Sequence, residues 1–195
     1  YPHFMLKEIH EQPTTVRATL RGRLSPGRKE PVRLNGLNMD RDQLADVESV
    51  TILACGTSWH AGLIGRSLIE ELVGIPVRVE YASEYRYQRI LDLRRSLVVA
   101  ISQSGETADT LEALRAAKEA GGRVVGLVNV VGSTIARESH GGLYLHAGPE
   151  IGVASTKAFT SQVAALTLLA LKLAMSRRVP EERLTTIMEA LDGIP

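Results

Sequence analysis

Apolar residues in this chain gather into short runs set apart by polar turns, and the runs alternate with stretches of helical periodicity. The run 97–101, Leu-Val-Val-Ala-Ile, is too brief for a helix core. Its β-branched Val98, Val99 and Ile101 suit a strand buried on both faces. It breaks into Ser102, Gln103, Ser104 and Gly105, then into a helix-forming stretch, 106–120, stopped by Gly121 and Gly122. The same succession occurs earlier: an apolar run at 50–54, the turn Cys55-Gly56-Thr57-Ser58, and a helix to about residue 73. Further strands are expected at 77–81, 124–129 and 143–146. A polar connection with some helix fills 82–92, a short helix 133–139, and a long apolar helix 158–175. An amphipathic helix over 180–192 starts at Pro180. Five short strands alternating with helices predict an α/β fold. Its form is a three-layer α-β-α sandwich around a five-stranded parallel sheet in the flavodoxin-like order 2-1-3-4-5.

The first 40 residues follow the pattern less closely. Phe4, Met5, Ile9, Val16 and Leu20 give partial helical periodicity over 3–21, with Pro13 either kinking the helix or opening a second one. Gly22, Pro26, Gly27, Pro31 and Gly36 mark 22–40 as a loop or linker. Residues 1–40 are therefore expected to be an N-terminal helix and linker packed on the domain formed by 41–195.

Composition narrows the function classes. With 195 residues there is room for one α/β domain with a full core. The balance of 23 basic against 22 acidic residues gives no reason to expect a nucleic-acid partner. The most apolar stretch, 163–175, is interrupted by Thr167 and Lys172 and is too short to span a bilayer, so no membrane partner is expected. The single cysteine, Cys55, excludes an intramolecular disulfide, and a cytosolic (cytoplasmic) location fits best. The chain starts Tyr1-Pro2-His3 without a methionine and is expected to be an excised piece.

The polar turns are the candidate chemistry. Each lies at the carboxyl end of a strand and the amino end of a helix. Backbone N–H groups there lack partners, and the helix dipole favours an anion. Ser102, Ser104 and Thr107 crowd one turn, and Gly105 lets the backbone come close. With no lysine or arginine, this is a phosphate cradle of hydroxyls and amides and not a Walker A loop. The plainer alternative is a well-capped helix, with Ser104 as N-cap and Glu106 complementing the dipole. In the order 2-1-3-4-5, strands one and three are neighbours at the switch point, so both turns would face one ligand, which favours binding over capping.

These residues are recognisable. Ala-Cys-Gly-Thr-Ser (54–58), Ser-Gln-Ser-Gly-Glu-Thr-Ala-Asp-Thr (102–110) and Glu-Ile-Gly-Val-Ala-Ser-Thr-Lys-Ala-Phe-Thr (150–160) resemble the sugar isomerase (SIS) domain family. The segments 5–13 and 81–87 are similar to the isomerase half of the glutamine–fructose-6-phosphate aminotransferase family, in which two SIS domains follow one another. The resemblance is to the first of the two. It implies binding of a hexose 6-phosphate: Ser58, Ser102, Gln103, Ser104 and Thr107 would hold the phosphate, while Thr57, Val153 and Ser155 would touch the sugar. Val153 would contribute backbone, since its side chain is apolar. The family forms glucosamine 6-phosphate from fructose 6-phosphate and glutamine-derived ammonia, which implies these sugar phosphates as small-molecule partners, a homodimer and no cofactor. The family's glutaminase cysteine, acid–base glutamate, Schiff-base lysine and ring-opening histidine have no counterpart in this chain. It is therefore expected to bind and orient substrate without turning it over.

Other residues carry blander expectations. Cys55 reads as a small buried residue rather than a nucleophile. The five histidines show no metal-ligand spacing, and His60 reads as a surface or satisfied side chain. Trp59 either covers the pocket rim or packs. Lys157 sits at the unfavourable end of a helix and reads as exposed. Arg86 and Arg89 read as a solvated face or a subunit contact. The helix 158–175, apolar nearly all round, is expected between the sheet and either a twin subunit or a second SIS domain, or as a central core helix of one domain. Two other function classes are weaker. A phosphosugar-sensing regulatory module would need a helix-turn-helix, which 1–40 lack. A dinucleotide-binding domain would need G-x-G-x-x-G after the first strand, where the chain reads C-G-T-S-W-H.

Overall fold

The computed structural model describes residues 1–90 and 92–195; Leu91, within the connection read at 82–92, lies outside the described residues. In chain order the elements are α1 (Phe4–Leu20), α2 (Arg41–Ala45), β1 (Ser49–Ala54), α3 (Gly56–Val73), β2 (Val77–Tyr81) and α4 (Ala82–Tyr85). They continue with β3 (Ser96–Ser102), α5 (Ala108–Glu119), β4 (Arg123–Val128), α6 (Thr134–Glu138), β5 (Gly141–Tyr144), α7 (Lys157–Ser176) and α8 (Glu181–Asp192). The sheet is parallel throughout and ordered β2-β1-β3-β4-β5, as the hydrophobic pattern predicts.

β3 is the middle strand, and every one of its residues is buried. Its side chains divide by parity. Leu97, Val99 and Ile101 join a core with α3, α7 and α8, whereas Val98 and Ala100 join a second core with α5 and α6. That division makes three layers, because a strand buried on both faces needs helices on both. The short helix α2 was not foreseen. Asp40 and Gln43 start it with a capping box, each side chain bonding the other's backbone N–H.

Two elements depart from the sequence pattern for steric reasons. β5 was expected at 143–146 but runs Gly141–Tyr144. Glycines read as breakers, yet here they allow close packing. An ideal Cβ on Gly142 would lie 2.1 Å from the Gly126 carbonyl oxygen of β4, and one on Gly141 would lie 2.6 Å from the carbonyls of Gly36 and Leu37. At the other end His146 has φ +57°, which takes it out of extended geometry. α1 passes through Pro13 as one helix, but its expected core face is only half right. Val16 and Leu20 are buried, whereas Phe4, Met5 and Ile9 are exposed and Glu8 is buried in their place.

α7 resolves the alternatives left open for it. It packs against α1, α2, α3 and α8, so it is the central core helix of this one domain. At 20 residues it is long and apolar enough to cross a membrane, so the shorter stretch read from sequence understated it. Its burial inside the fold accounts for that composition. Gly65 of α3 makes the α3–α7 contact possible, since a Cβ there would sit 3.0 Å from Leu166 Cδ1.

These contacts separate two kinds of glycine. Gly142→Ala should cost at least about 3 kcal/mol, because backbone on the adjacent strand cannot move aside. Gly74→Ala ends α3 at φ +74° with open space around it and should cost only about 1–2 kcal/mol. Urea unfolding of both variants measures the gap, and equal losses would refute the steric account of β5.

Candidate functional site

β1 and β3 are paired neighbours, and each ends in a turn that opens a helix. α3 goes to one face and α5 to the other, which makes the gap between them the switch point of the sheet. A cavity of about 430 Å³ occupies this gap. It brings together all eight residues singled out from sequence: Thr57, Ser58, Ser102, Gln103, Ser104, Thr107, Val153 and Ser155. Cys55, Gly56, Ile101 and Thr110 also line it. A larger cavity of about 550 Å³ beside Arg23 and Arg33 lies at the β5 edge and includes none of the eight.

The turn after β3 is fixed from within. Ser102 Oγ accepts from the Gly105 amide at 3.0 Å and is 2.9 Å from Thr107 Oγ1. Gly105 has φ +70°, and a Cβ there would lie 2.0 Å from Ser133 Oγ, so only glycine fits. Ser104 is not the N-cap expected for α5. Its Oγ accepts from the Glu106 amide at 3.1 Å, within the turn, and the helix starts later, after Thr107. Glu106 does not serve the α5 dipole either. It accepts from the Thr134 amide at 2.8 Å, at the start of α6. That bond, with the Thr134 hydroxyl, holds the Glu106 carboxyl below its ordinary range.

Neither Cys55, the N-cap of α3, nor Thr107, the N-cap of α5, makes a side-chain capping bond. Both helices therefore direct uncapped first-turn N–H groups at the cavity. Ser58 is buried and accepts from Gln162 Nε2 of α7 at 2.9 Å, which fixes its hydroxyl. Thr110 Oγ1, fully buried in the first turns of α5, has no hydrogen-bond partner among the described residues. Among the described residues, the cavity lining contains no lysine, arginine, histidine or carboxylate.

The third wall comes from the long connection between β5 and α7. Ser155 Oγ donates to Glu150 Oε2 at 2.8 Å, and Glu150 Oε1 accepts from the amides of Thr156 and Ala158 at 2.8 and 3.2 Å. Glu150 thus supplies the anion that the α7 N-terminus needs. Val153 is fully exposed and lines the cavity.

Several neighbours have other roles. Lys157 is not exposed, as expected from sequence, but buried at 4% and paired with Glu11 at 2.6 Å. Cys55 is half-buried: it packs against the core that holds α5 and α6 and also lines the cavity. Trp59 packs flat on Tyr81, ring centroids 4.4 Å apart, and is not among the lining residues. His60 is exposed, with Nδ1 3.0 Å from the Gly56 carbonyl. Arg86 is exposed and stacks on the Tyr87 ring. The sequence missed Thr110 because a lone threonine within a helix resembles any other. It missed Glu8 and Glu150 because carboxylates that bond backbone leave no local pattern.

Comparison with known proteins agrees with this fold. Glutamine–fructose-6-phosphate aminotransferase [isomerizing] from Chlorobaculum tepidum is 53% identical over 197 residues, covering 100% of this chain and 32% of that protein. The same-named protein from Aquifex aeolicus is 49% identical over 195 residues, covering 100% and 30%. The chain thus spans about a third of the length of the curated relatives it matches. Among solved structures, the C-terminal domain of glucosamine-fructose-6-phosphate aminotransferase from Francisella tularensis superposes with a TM-score of 0.91 at 40% identity. The match covers 100% of this chain and 54% of that one. The SIS domain profile matches residues 43–172, a span that holds the sheet and both cavity-lining turns, and the chain belongs to the SIS domain family.

Proposed function

We propose that this chain is the sugar-phosphate-binding first half of the isomerase module of a glutamine–fructose-6-phosphate aminotransferase, with fructose 6-phosphate and glucosamine 6-phosphate as its ligands. The observation that carries the reading is one cavity walled by two uncapped helix N-termini and four hydroxyls, those of Ser58, Ser102, Ser104 and Thr107. A phosphate dianion needs many donors and tolerates few acceptors, and this lining meets both conditions. Thr110 Oγ1, buried beside the cavity, has no competing partner among the described residues. The phosphate would sit between the β1 and β3 tips, with the sugar extending toward Thr57, Val153 and Ser155. The whole-chain identity to the named relatives supports the specific sugar.

The chain's contribution is to bind and orient. Among the described residues its cavity lining holds no carboxylate, imidazole or amine that could act as general base or form a Schiff base, so on this reading ring opening and proton transfer would use groups from outside the lining. Fixing the phosphate converts its binding energy into orientation of the reacting carbons. The reading includes action in the cytosol as a homodimer. The free thiol of Cys55 suits a reducing compartment. Phe4, Met5 and Ile151, all exposed on α1 and the loop it touches, supply apolar surface beside the cavity.

Thermal unfolding should distinguish phosphorylated from plain sugar. Fructose 6-phosphate at 100 times its dissociation constant adds about 2.7 kcal/mol of stability, and fructose at the same concentration adds none. Equal effects of the two would overturn the phosphate reading. Ser104→Ala and Thr107→Val each remove one donor to a charged group, worth about 1.5 kcal/mol or more, and should weaken binding at least about tenfold by calorimetry.

The pH profile offers an independent check. A phosphate monoester takes up its second proton near pH 6, so affinity should be level at pH 7–8 and fall toward tenfold per unit well below about 6. Glu106, held below its ordinary range, stays ionised over this span, so its link to α6 persists. Affinity that rises on acidification would point to a cationic group in the site and against neutral donors.

A further inference from the structure

α1 is fastened to the cavity wall through charged groups. Its first half exposes Phe4, Met5 and Ile9, yet Glu8 between them is only 2% exposed. The Glu8 carboxylate accepts from the Ile151 amide at 2.5 Å through Oε1. It also accepts from the Gly152 amide at 3.2 and 3.1 Å through Oε1 and Oε2. Glycine at 152 lets the carboxylate come close: a Cβ there would stand 2.5 Å from Glu8 Oε2 and 3.4 Å from Met5 Cα. One turn along α1, Glu11 pairs with the buried Lys157 at the start of α7. Glu8 and Glu11 thus bracket the segment that presents Val153 and Ser155 to the cavity, 143 or more residues away in sequence.

We infer that Glu8 is a positioning residue: its carboxylate sets the backbone of 151–155 at the sugar end of the cavity, so it governs recognition of the sugar and not of the phosphate. The inference rests on the proposed sugar-phosphate reading. The two ends of the cavity are held by separate means. The β1 and β3 tips are fixed by strand pairing, by Ser102 and by Gly105, none of which involves α1. The 151–152 amides, by contrast, have the Glu8 carboxylate as their partner, supplied from across the fold. Without it, two backbone donors lose their acceptor and the loop loses its register against α1. Glu150 still holds Ser155 and the α7 N-terminus, so the fold and the phosphate end survive.

The test titrates wild type, Glu8→Gln and Glu8→Ala with fructose 6-phosphate and, separately, with inorganic phosphate by calorimetry. Amide hydrogen exchange at Ile151 and Gly152 is followed without ligand. Glu8→Ala should lose at least about tenfold in affinity for fructose 6-phosphate and change less than about twofold for phosphate, with faster exchange at both amides. Glu8→Gln keeps one acceptor oxygen and should fall between. Unchanged fructose 6-phosphate affinity in both variants, or unchanged exchange, overturns the inference and leaves the sugar-phosphate reading standing. Parallel loss of both ligands overturns it too, as the mark of a merely structural residue. A wild-type chain that binds neither ligand overturns both readings.

Discussion

The pairing of β1 with β3 is the constraint from which the rest follows. These strands are neighbours in space but are separated in sequence by α3, β2 and α4. Parallel neighbours whose following helices leave for opposite faces cannot close the space between those helices' first turns. The gap is therefore a product of topology, present before any side chain is chosen. What the sequence adds is its lining: small residues where backbone must come near, hydroxyls where donors are useful, and glycines at 56 and 105 with φ +57° and +70°.

Helix electrostatics decide which gap can take a ligand. Each helix N-terminus calls for an acceptor, and this chain meets the need unevenly. α1 uses the His3 ring, α2 a capping box, α6 the Glu106 carboxylate and α7 the Glu150 carboxylate. α3 and α5 receive no side-chain cap. An uncapped N-terminus commonly costs about 1 kcal/mol against a capped one. α4 and α8 lack a side-chain cap as well, but only the N-termini of α3 and α5 meet at this cavity, which makes it the candidate site. Placing Glu106 on α6 rather than α5 also removes a negative charge that would compete with a phosphate. Its carboxylate is the nearest acidic group in sequence to the cradle, yet it is held away by Thr134.

Much of the fold was legible because buried parallel strands are written as continuous apolar runs. β2 matches its expected bounds, β1 differs by one residue at one end, and β3 and β4 differ by one residue at each end. The eight candidate site residues share one cavity for a related reason: the turn motifs sit at strand ends, and strand order follows from helix–strand alternation. The failures have physical causes too. Periodicity along α1 counted apolar residues and could not know that Glu8 would be covered by a loop far along the chain. Gly141 and Gly142 resembled a stop because their function is close approach to Gly36, Leu37 and Gly126. Lys157 read as exposed because its partner Glu11 lies on another helix. In each case the deciding contact is long-range, and local pattern carries no trace of it.

Neutral donors have consequences beyond affinity. A lysine attracts an anion from any direction, because a point charge has no preferred geometry. Hydroxyls and first-turn amides act only at hydrogen-bond distance and along their own axes, so they favour a tetrahedral group of the right size in one placement. The arrangement thus exchanges some long-range attraction for orientation. On the proposed sugar-phosphate reading orientation matters most, since an error of about 1 Å at a phosphate would be carried to the far end of a sugar. Keeping Lys157 paired with Glu11 beneath the third wall follows the same logic. Its charge steadies the loop that carries Val153 and Ser155 and is not part of the cavity lining.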